Sequence, residues 1–225
     1  MSGYYEFARP EIQKLVPLNA KRILDVGCAK GFLGKAVKQR QACHITGVEY
    51  VPEIAGAARK NLDHVICGDI EILAKALPRH YYDCIILADV LEHLKYPGQV
   101  LLQLKECLTA DGIFIISLPN VRHWSVLGDL LEGKWNYVDA GILDKTHLRF
   151  FTRASMLDLF NSTGLVVCHT EEIIDHGFPV PENIISRLNA LGLHTGTLAA
   201  EVKVVQYLFI AAPDENFVQR SGNDG

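Results

Sequence analysis

Short β-rich apolar runs alternate with amphipathic stretches along the first half of the chain. KRILDVG (21–27), HITGVE (44–49), HVICGD (64–69), DCIILAD (83–89) and GIFIISL (112–118) read as five strands. DCIILAD is apolar enough throughout to be buried on both faces, as strands of a parallel sheet are. Helices are predicted between the strands. One covers 31–40. A second covers 52–61, where Pro52 occupies a first-turn position that tolerates a missing N–H. A third follows Pro97, where Val100, Leu101, Leu104, Cys107 and Leu108 recur at helical spacing. Strands about 20–25 residues apart leave room for right-handed helical crossovers. The pattern predicts an α/β fold: a Rossmann-like, doubly wound sheet with helices on both faces.

Beyond residue 118 the rhythm breaks. Residues 119–151 have no clean period, and an insertion of this length between core elements is usually a lid or a binding loop. A helix is predicted over 152–164 with Gly164 as its stop. LVVCHTEEI (165–173) reads as a sixth strand, 182–191 as a helix closed by Gly192, and VKVVQYLFIAA (202–212) as a seventh strand. The expected organisation is a single domain over 1–213, carrying a lid insertion at about 119–151, with a flexible polar tail at 214–225.

Composition narrows the function. The 225 residues suit one domain, and 49% apolar with 21% charged residues excludes a disordered chain. The net charge of −4 argues against a dedicated nucleic-acid binder, which needs a basic face. No apolar run approaches the ~18–20 residues of a membrane span. MSGYYEFARPEIQK lacks the pattern of a signal peptide. Cys28, Cys43, Cys67, Cys84, Cys107 and Cys168 form no C-x-x-C pair and read as buried thiols of a reducing, cytoplasmic compartment.

In open α/β sheets ligands bind beyond the carboxyl ends of the strands. The candidates there are Asp25, Gly27, Ala29 and Gly31 after the first strand and Glu49 after the second. Asp69 and Ile70 follow the third, and Asp89, Val90 and His93 the fourth. Gly27, Gly31 and Gly34 permit a tight turn and close backbone approach. Glu49 can accept bonds from both hydroxyls of a ribose, and Asp69 can receive an adenine amine with Ile70 against the ring. Plainer roles exist: Asp25 as a turn cap and Asp69 as a helix cap.

ILDVGCAKGFLG, GVE, CGDI and DVLEHL, in this order and spacing, resemble the class I S-adenosylmethionine-dependent methyltransferases. The resemblance covers 22–118 closely and the rest loosely. It implies S-adenosylmethionine as cofactor, and a seven-stranded sheet whose last strand is antiparallel. Ala29 stands where that family usually has Gly, which implies slight crowding of the methionine moiety. A dinucleotide is the competing cofactor for such a fold. Its pyrophosphate favours bare N–H groups, whereas acidic residues at four strand ends suit a sulfonium cation.

Methyl transfer to a neutral hydroxyl also requires a base or a metal. Asp89-x-x-Glu92-His93 resembles the segment of ubiquinone-biosynthesis O-methyltransferases that is associated with a divalent metal. Here the first acid is the shorter Asp, and one Asp, one Glu and one His do not by themselves define a metal site. Ordering of the loop is the plainer role of Glu92 and His93, so no metal is assigned.

Segments 119–124 and 144–152 resemble a bacterial methyltransferase subgroup linked to polysaccharide, sugar and natural-product pathways. His147, and after it His123, is the candidate general base. Arg122 or Arg149 can hold an anionic group, and Trp124, Trp135 and Tyr137 can wall a ring. Against this, Trp124, Leu127, Leu130 and Leu131 have the spacing of a helix packed on the core, and Phe150-Phe151 should include one core anchor.

The sequence reading is thus O-methylation of a small molecule or glycan precursor, with an apolar lid that can serve a homodimer. A non-catalytic cofactor-binding module that regulates a protein partner is the second reading. An RNA or protein methyltransferase is disfavoured, because Ala88-Asp89-Val90-Leu91 replaces an Asn-Pro-Pro-Tyr-like motif.

Overall fold

A computed structural model describes residues 8–177, 180–181, 183–192 and 195–214. Most of the expected tail (215–225) and the first residue of the helix predicted over 182–191 lie outside the described residues. The strands are β1 (Arg22–Val26), β2 (His44–Glu49), β3 (His64–Cys67), β4 (Tyr82–Ala88), β5 (Leu108–Pro119), β6 (Leu165–Ile174) and β7 (Val204–Pro213). The helices are α1 (Pro10–Gln13), α2 (Phe32–Arg40), α3 (Pro52–Ala58), α4 (Ile70–Leu73), α5 (Pro97–Lys105), α6 (Trp124–Leu131), α7 (Arg153–Ser162), α8 (Ile184–Ala190) and α9 (Leu198–Glu201).

The seven strands form one sheet in the order β3-β2-β1-β4-β5-β7-β6. β7 runs antiparallel to β5 and β6, and the pairings among β1 to β5 are parallel. Strand order reverses between β1 and β4, which opens a crevice above their carboxyl ends.

Alternation along the strands divides the core into two layers. Leu24, Val26, Ile85, Leu87, Phe114 and Ile116 face one way, against Val100, Leu101 and Leu104 of α5 and Met156 and Phe160 of α7. Ile23, Ile45, Cys84, Ile86 and Ile115 face the other way, against Ile12 of α1, Leu33 and Val37 of α2 and Ala55 and Ala58 of α3. Strands buried on both faces explain the unbroken apolar runs in the sequence.

Element boundaries follow local chemistry. Pro52 and Pro97 open α3 and α5 as expected. Thr152 and Ser155 form a reciprocal capping box at the start of α7, and Gly164 follows that helix at φ +70°. β5 begins at Leu108, four residues before the predicted start, because Leu108 pairs with Tyr82. The cysteines divide: Cys28, Cys84 and Cys107 are buried, whereas Cys67 and Cys168 are exposed, which corrects the expectation of burial for those two.

The 119–151 segment is tied down at both ends. Asn120 is fully buried and donates to the Glu201 and Val204 carbonyls at 3.0 and 2.8 Å, and Asn120 bridges to Phe151. Phe151 is the core anchor and Phe150 is not. Residues 130–141 are all exposed. Leu130 and Leu131 of α6 are 52% and 69% exposed, so the apolar stripe read from 124–131 does not pack wholly onto the core.

Gly47 shows how tightly β2 sits under the glycine loop that follows β1. A Cβ there would fall 2.5 Å from both Cys28 Sγ and Leu62 Cδ1. Gly47→Ala should lower stability by about 1–3 kcal/mol through overpacking, measured as a fall in the urea midpoint.

Candidate cofactor and acceptor site

The loop after β1 is shaped by backbone conformation. Gly27 and Gly31 have φ of +68° and +77°, and a Cβ on Gly27 would lie 2.9 Å from Val90 Cγ2. Gly27 and Cys28 donate N–H bonds to the Val48 carbonyl, which holds the loop over β2. Ala29 also sits in the left-handed region, at φ +49°. This strain of roughly 1 kcal/mol is the physical consequence of the missing glycine, a feature beyond the crowding expected from the sequence.

Glu49 caps this arrangement. Its carboxylate accepts from the Ala29 N–H at 3.0 Å and the Val51 N–H at 2.9 Å, and the side chain is buried. The end of β2 is thereby locked to the glycine loop. Asp69 accepts from the Glu71 N–H at 2.8 Å and so caps α4, the plainer of its two expected roles. Ile70 beside it is buried in the core.

Asp25 is 2% exposed, and its Oδ2 has no hydrogen-bond partner among the described residues. Burial, with the Glu49 charge adding to it, raises its carboxyl to about 7, against an opposing pull from Arg9.

Asp89, in the left-handed region at φ +57°, is held from three sides. Arg9 donates to its Oδ2 at 2.6 Å and Ser117 to its Oδ1 at 2.9 Å, and Gln206 also donates to Oδ1. Arg9 reaches this position from just before α1 and also pairs with Glu11. Arg9 was not singled out from the sequence. It stands 80 residues from Asp89 with no surrounding motif, and only the folded chain brings the two together.

Beyond Asp89 a single turn of 3₁₀ helix spans Leu91–His93. Val90 and Glu92 are buried, and both Glu92 carboxyl oxygens lack partners among the described residues. Burial first, then the Asp89 charge, pushes the Glu92 carboxyl well above the carboxylate range. The insertion lies against this turn: the Leu148 and Arg149 N–H groups donate to the Glu92 carbonyl at 2.8 and 3.0 Å.

This contact brings His147 edge-to-face against His93, with ring centroids 4.7 Å apart. His147 Nδ1 lies 3.0 Å from the Ile142 carbonyl, and burial holds its pKa below the usual value. Phe150 packs edge-on to Trp135 at 5.3 Å and lies 6.2 Å from His147. Tyr137 is 6.3 Å from Phe150, so the two expected wall residues Trp135 and Tyr137 do gather around one ring.

The other acceptor-side candidates have structural partners. His123 is buried and caps α6 through the Ser125 N–H, and burial lowers its pKa. Arg122 forms an ion pair with Glu201 at 2.5 Å, and Arg149 donates to the Lys95 carbonyl at 2.8 Å.

A family model described as a methyltransferase domain matches residues 2–170. The chain belongs to the methyltransferase-domain family. It is an S-adenosylmethionine-dependent methyltransferase of class I, as its strand-end motifs lead one to expect. This methyltransferase is 26% identical over 168 residues to the ubiquinone biosynthesis O-methyltransferase of Neisseria meningitidis serogroup C, covering 71% of this chain and 69% of that one. Its fold matches a SAM-dependent methyltransferase from Archaeoglobus fulgidus with a TM-score of 0.64 at 18% identity, over 93% and 94% of the two chains. The [4+2]-cyclase SpnF shares the fold at a TM-score of 0.63 and 18% identity, over 90% of this methyltransferase and 80% of SpnF. Fold alone therefore does not dictate the reaction. Among the described residues of the methyltransferase no helix is long and apolar enough to cross a membrane.

Asp25 predicts a pH dependence of stability with a definite sign. Its folded pKa of about 7 lies above the unfolded value, so the folded state binds more protons between them. This contribution is therefore unfavourable above pH 7 and vanishes as pH falls below the unfolded value near 3.9. Asp25→Asn should raise the Tm more at pH 8 than at pH 5, measured by thermal denaturation without cofactor.

Proposed function

We propose that this methyltransferase acts on a hydroxyl oxygen of a small-molecule or glycan-precursor acceptor that enters between the His93–His147 pair and the cofactor. The observation that carries this reading is the meeting of His147, from the insertion, with His93 at the strand ends. The low-identity relationship to an O-methyltransferase supports oxygen as the acceptor atom.

The residues present fit the cofactor. The backbone at Gly27, Ala29 and Gly31 offers a close-approach surface, and in our reading it takes the methionine moiety. Asp25 has an unpartnered carboxyl oxygen for a cationic group. Glu49 is oriented by two N–H donors and retains lone pairs for ribose hydroxyls. Asp69 and Ile70 would take the adenine, and Asp89, Val90 and His93 would close the side toward the acceptor. S-adenosylmethionine, when bound, supplies an electrophilic methyl group.

The chain's own contribution is alignment, proton handling and exclusion of water. His147 receives the acceptor hydroxyl. Its Nδ1 faces the Ile142 carbonyl and therefore carries the proton, which leaves Nε2 with a lone pair. A lowered pKa keeps the ring neutral near pH 7, the state needed for that role. Residues 119–151 act as a lid within one domain, with exposed 130–141 free to close over the acceptor and the ring of Phe150, Trp135 and Tyr137 as its wall. His123 remains a cap in this scheme.

Two variants test the assignment. His147→Ala should lower turnover by about 10²–10⁴-fold while S-adenosylhomocysteine affinity stays within about twofold. Unchanged turnover would remove His147 from the site. Glu49→Ala should weaken the cofactor by roughly 1.5–3 kcal/mol per lost charge-assisted bond, read by calorimetry.

A further inference from the structure

Glu92 is the buried group that the scheme above leaves unused. It is 0% exposed, and neither carboxyl oxygen has a hydrogen-bond partner among the described residues. Buried carboxyl groups are almost always paired, so two orphaned oxygens on one side chain point to a partner that the described residues do not supply. One ligating atom each from Glu92, His93 and His147 lies within 4.8 Å of the others.

Both imidazoles are prepared in the same way. His147 Nδ1 faces the Ile142 carbonyl at 3.0 Å, and His93 Nδ1 faces the Thr146 carbonyl at 3.3 Å. Thr146 Oγ1, 3.2 Å from the same His93 nitrogen, gives its own proton to Asp144 at 2.6 Å and so faces His93 as an acceptor. Each ring therefore carries its proton on Nδ1 and presents a lone pair on Nε2. Metal-ligating histidines are oriented in this way by carbonyl and carboxylate partners behind them.

We propose that Glu92, His93 and His147 form a binding site for one divalent transition-metal ion. The ligand set differs from the Asp89-x-x-Glu92-His93 pattern considered from the sequence. Asp89 has both oxygens engaged by Arg9, Ser117 and Gln206, and His147 from the insertion takes the third place. That exchange replaces an oxygen donor with a nitrogen. Two imidazoles and one carboxylate suit manganese, iron, cobalt or zinc, whereas magnesium and calcium prefer all-oxygen sets. Three protein ligands leave positions open for an acceptor's oxygens.

The inference deepens the proposed function and rests on its placing of His147 at the acceptor. A bound ion would lower the pKa of a coordinated hydroxyl, so His147 would act as a ligand and not as a free base. The opposing account is a neutral, protonated Glu92 that binds nothing.

The test is calorimetric titration of chelator-treated, full-length protein with CoCl₂, MnCl₂ and MgCl₂, with visible absorption recorded for cobalt. We expect one saturable Co²⁺ or Mn²⁺ site per chain and d–d bands for cobalt. Mg²⁺ should bind at least tenfold more weakly. Glu92→Gln and His147→Ala should each weaken Co²⁺ binding by about 10–100-fold, while Asp89→Asn changes it less than threefold. S-adenosylhomocysteine affinity serves as the folding control, and His147→Ala stands if Glu92→Gln fails to fold. Absence of a saturable site in the wild type, or wild-type Co²⁺ affinity in His147→Ala, would overturn the proposal. If His147→Ala abolishes turnover in a protein that binds no metal, the metal site fails and the acceptor assignment survives. If it abolishes metal binding but not turnover, the acceptor assignment fails alone.

Discussion

Negative charge gathered at the carboxyl ends of β1, β2 and β4 is the constraint around which this site is organised. Parallel strands bring Asp25, Glu49 and Asp89 to one rim, and Glu92 follows one turn later. Like charges in a partly dry crevice repel, and each group resolves this differently. Glu49 is held by two backbone N–H groups, and Asp89 is neutralised by Arg9. Asp25 and Glu92, the most deeply buried, have pKa values raised first of all by that burial. A rim so arranged is suited to a cationic ligand, because a positive centre stabilises the charged forms that burial disfavours.

The insertion leans on the same rim and, in the proposed function, carries the acceptor half of the site. Its backbone at Leu148 and Arg149 is pinned to the Glu92 carbonyl, so the turn that carries Glu92 and His93 also fixes where His147 stands. Asn120 and Phe151 pin the ends of the insertion to the core, and residues 130–141 between them are open to solvent. Firm ends with an exposed middle suit the lid proposed for this insertion, since the reactive groups would stay in place while the cover moves.

What the sequence made legible follows from range. The strands of a sheet buried on both faces are written as continuous apolar runs, and the residues proposed for the cofactor sit within a few positions of those runs. The placing of Asp25, Gly27, Glu49 and Asp89 at the strand ends was therefore readable from local pattern. Arg9 and the His93–His147 contact were not, because they join segments about 80 and 54 residues apart through folding alone. The amphipathic spacing of 124–131 misled in part: it marked a helix correctly, but α6 leaves Leu130 and Leu131 in solvent. The Asp89-x-x-Glu92-His93 spacing likewise grouped sequence neighbours with different partners in the fold, since both Asp89 oxygens are engaged by Arg9, Ser117 and Gln206 while those of Glu92 have none among the described residues.

The claim that this rim is built for a cation is tested most directly by calorimetric titration with S-adenosylmethionine and with NAD between pH 6 and 8. S-adenosylmethionine should bind one per chain and tighten as pH rises through about 7, where Asp25 takes on its charge, while NAD shows no saturable binding. Saturable NAD binding, or S-adenosylmethionine affinity that weakens with rising pH, would contradict the account.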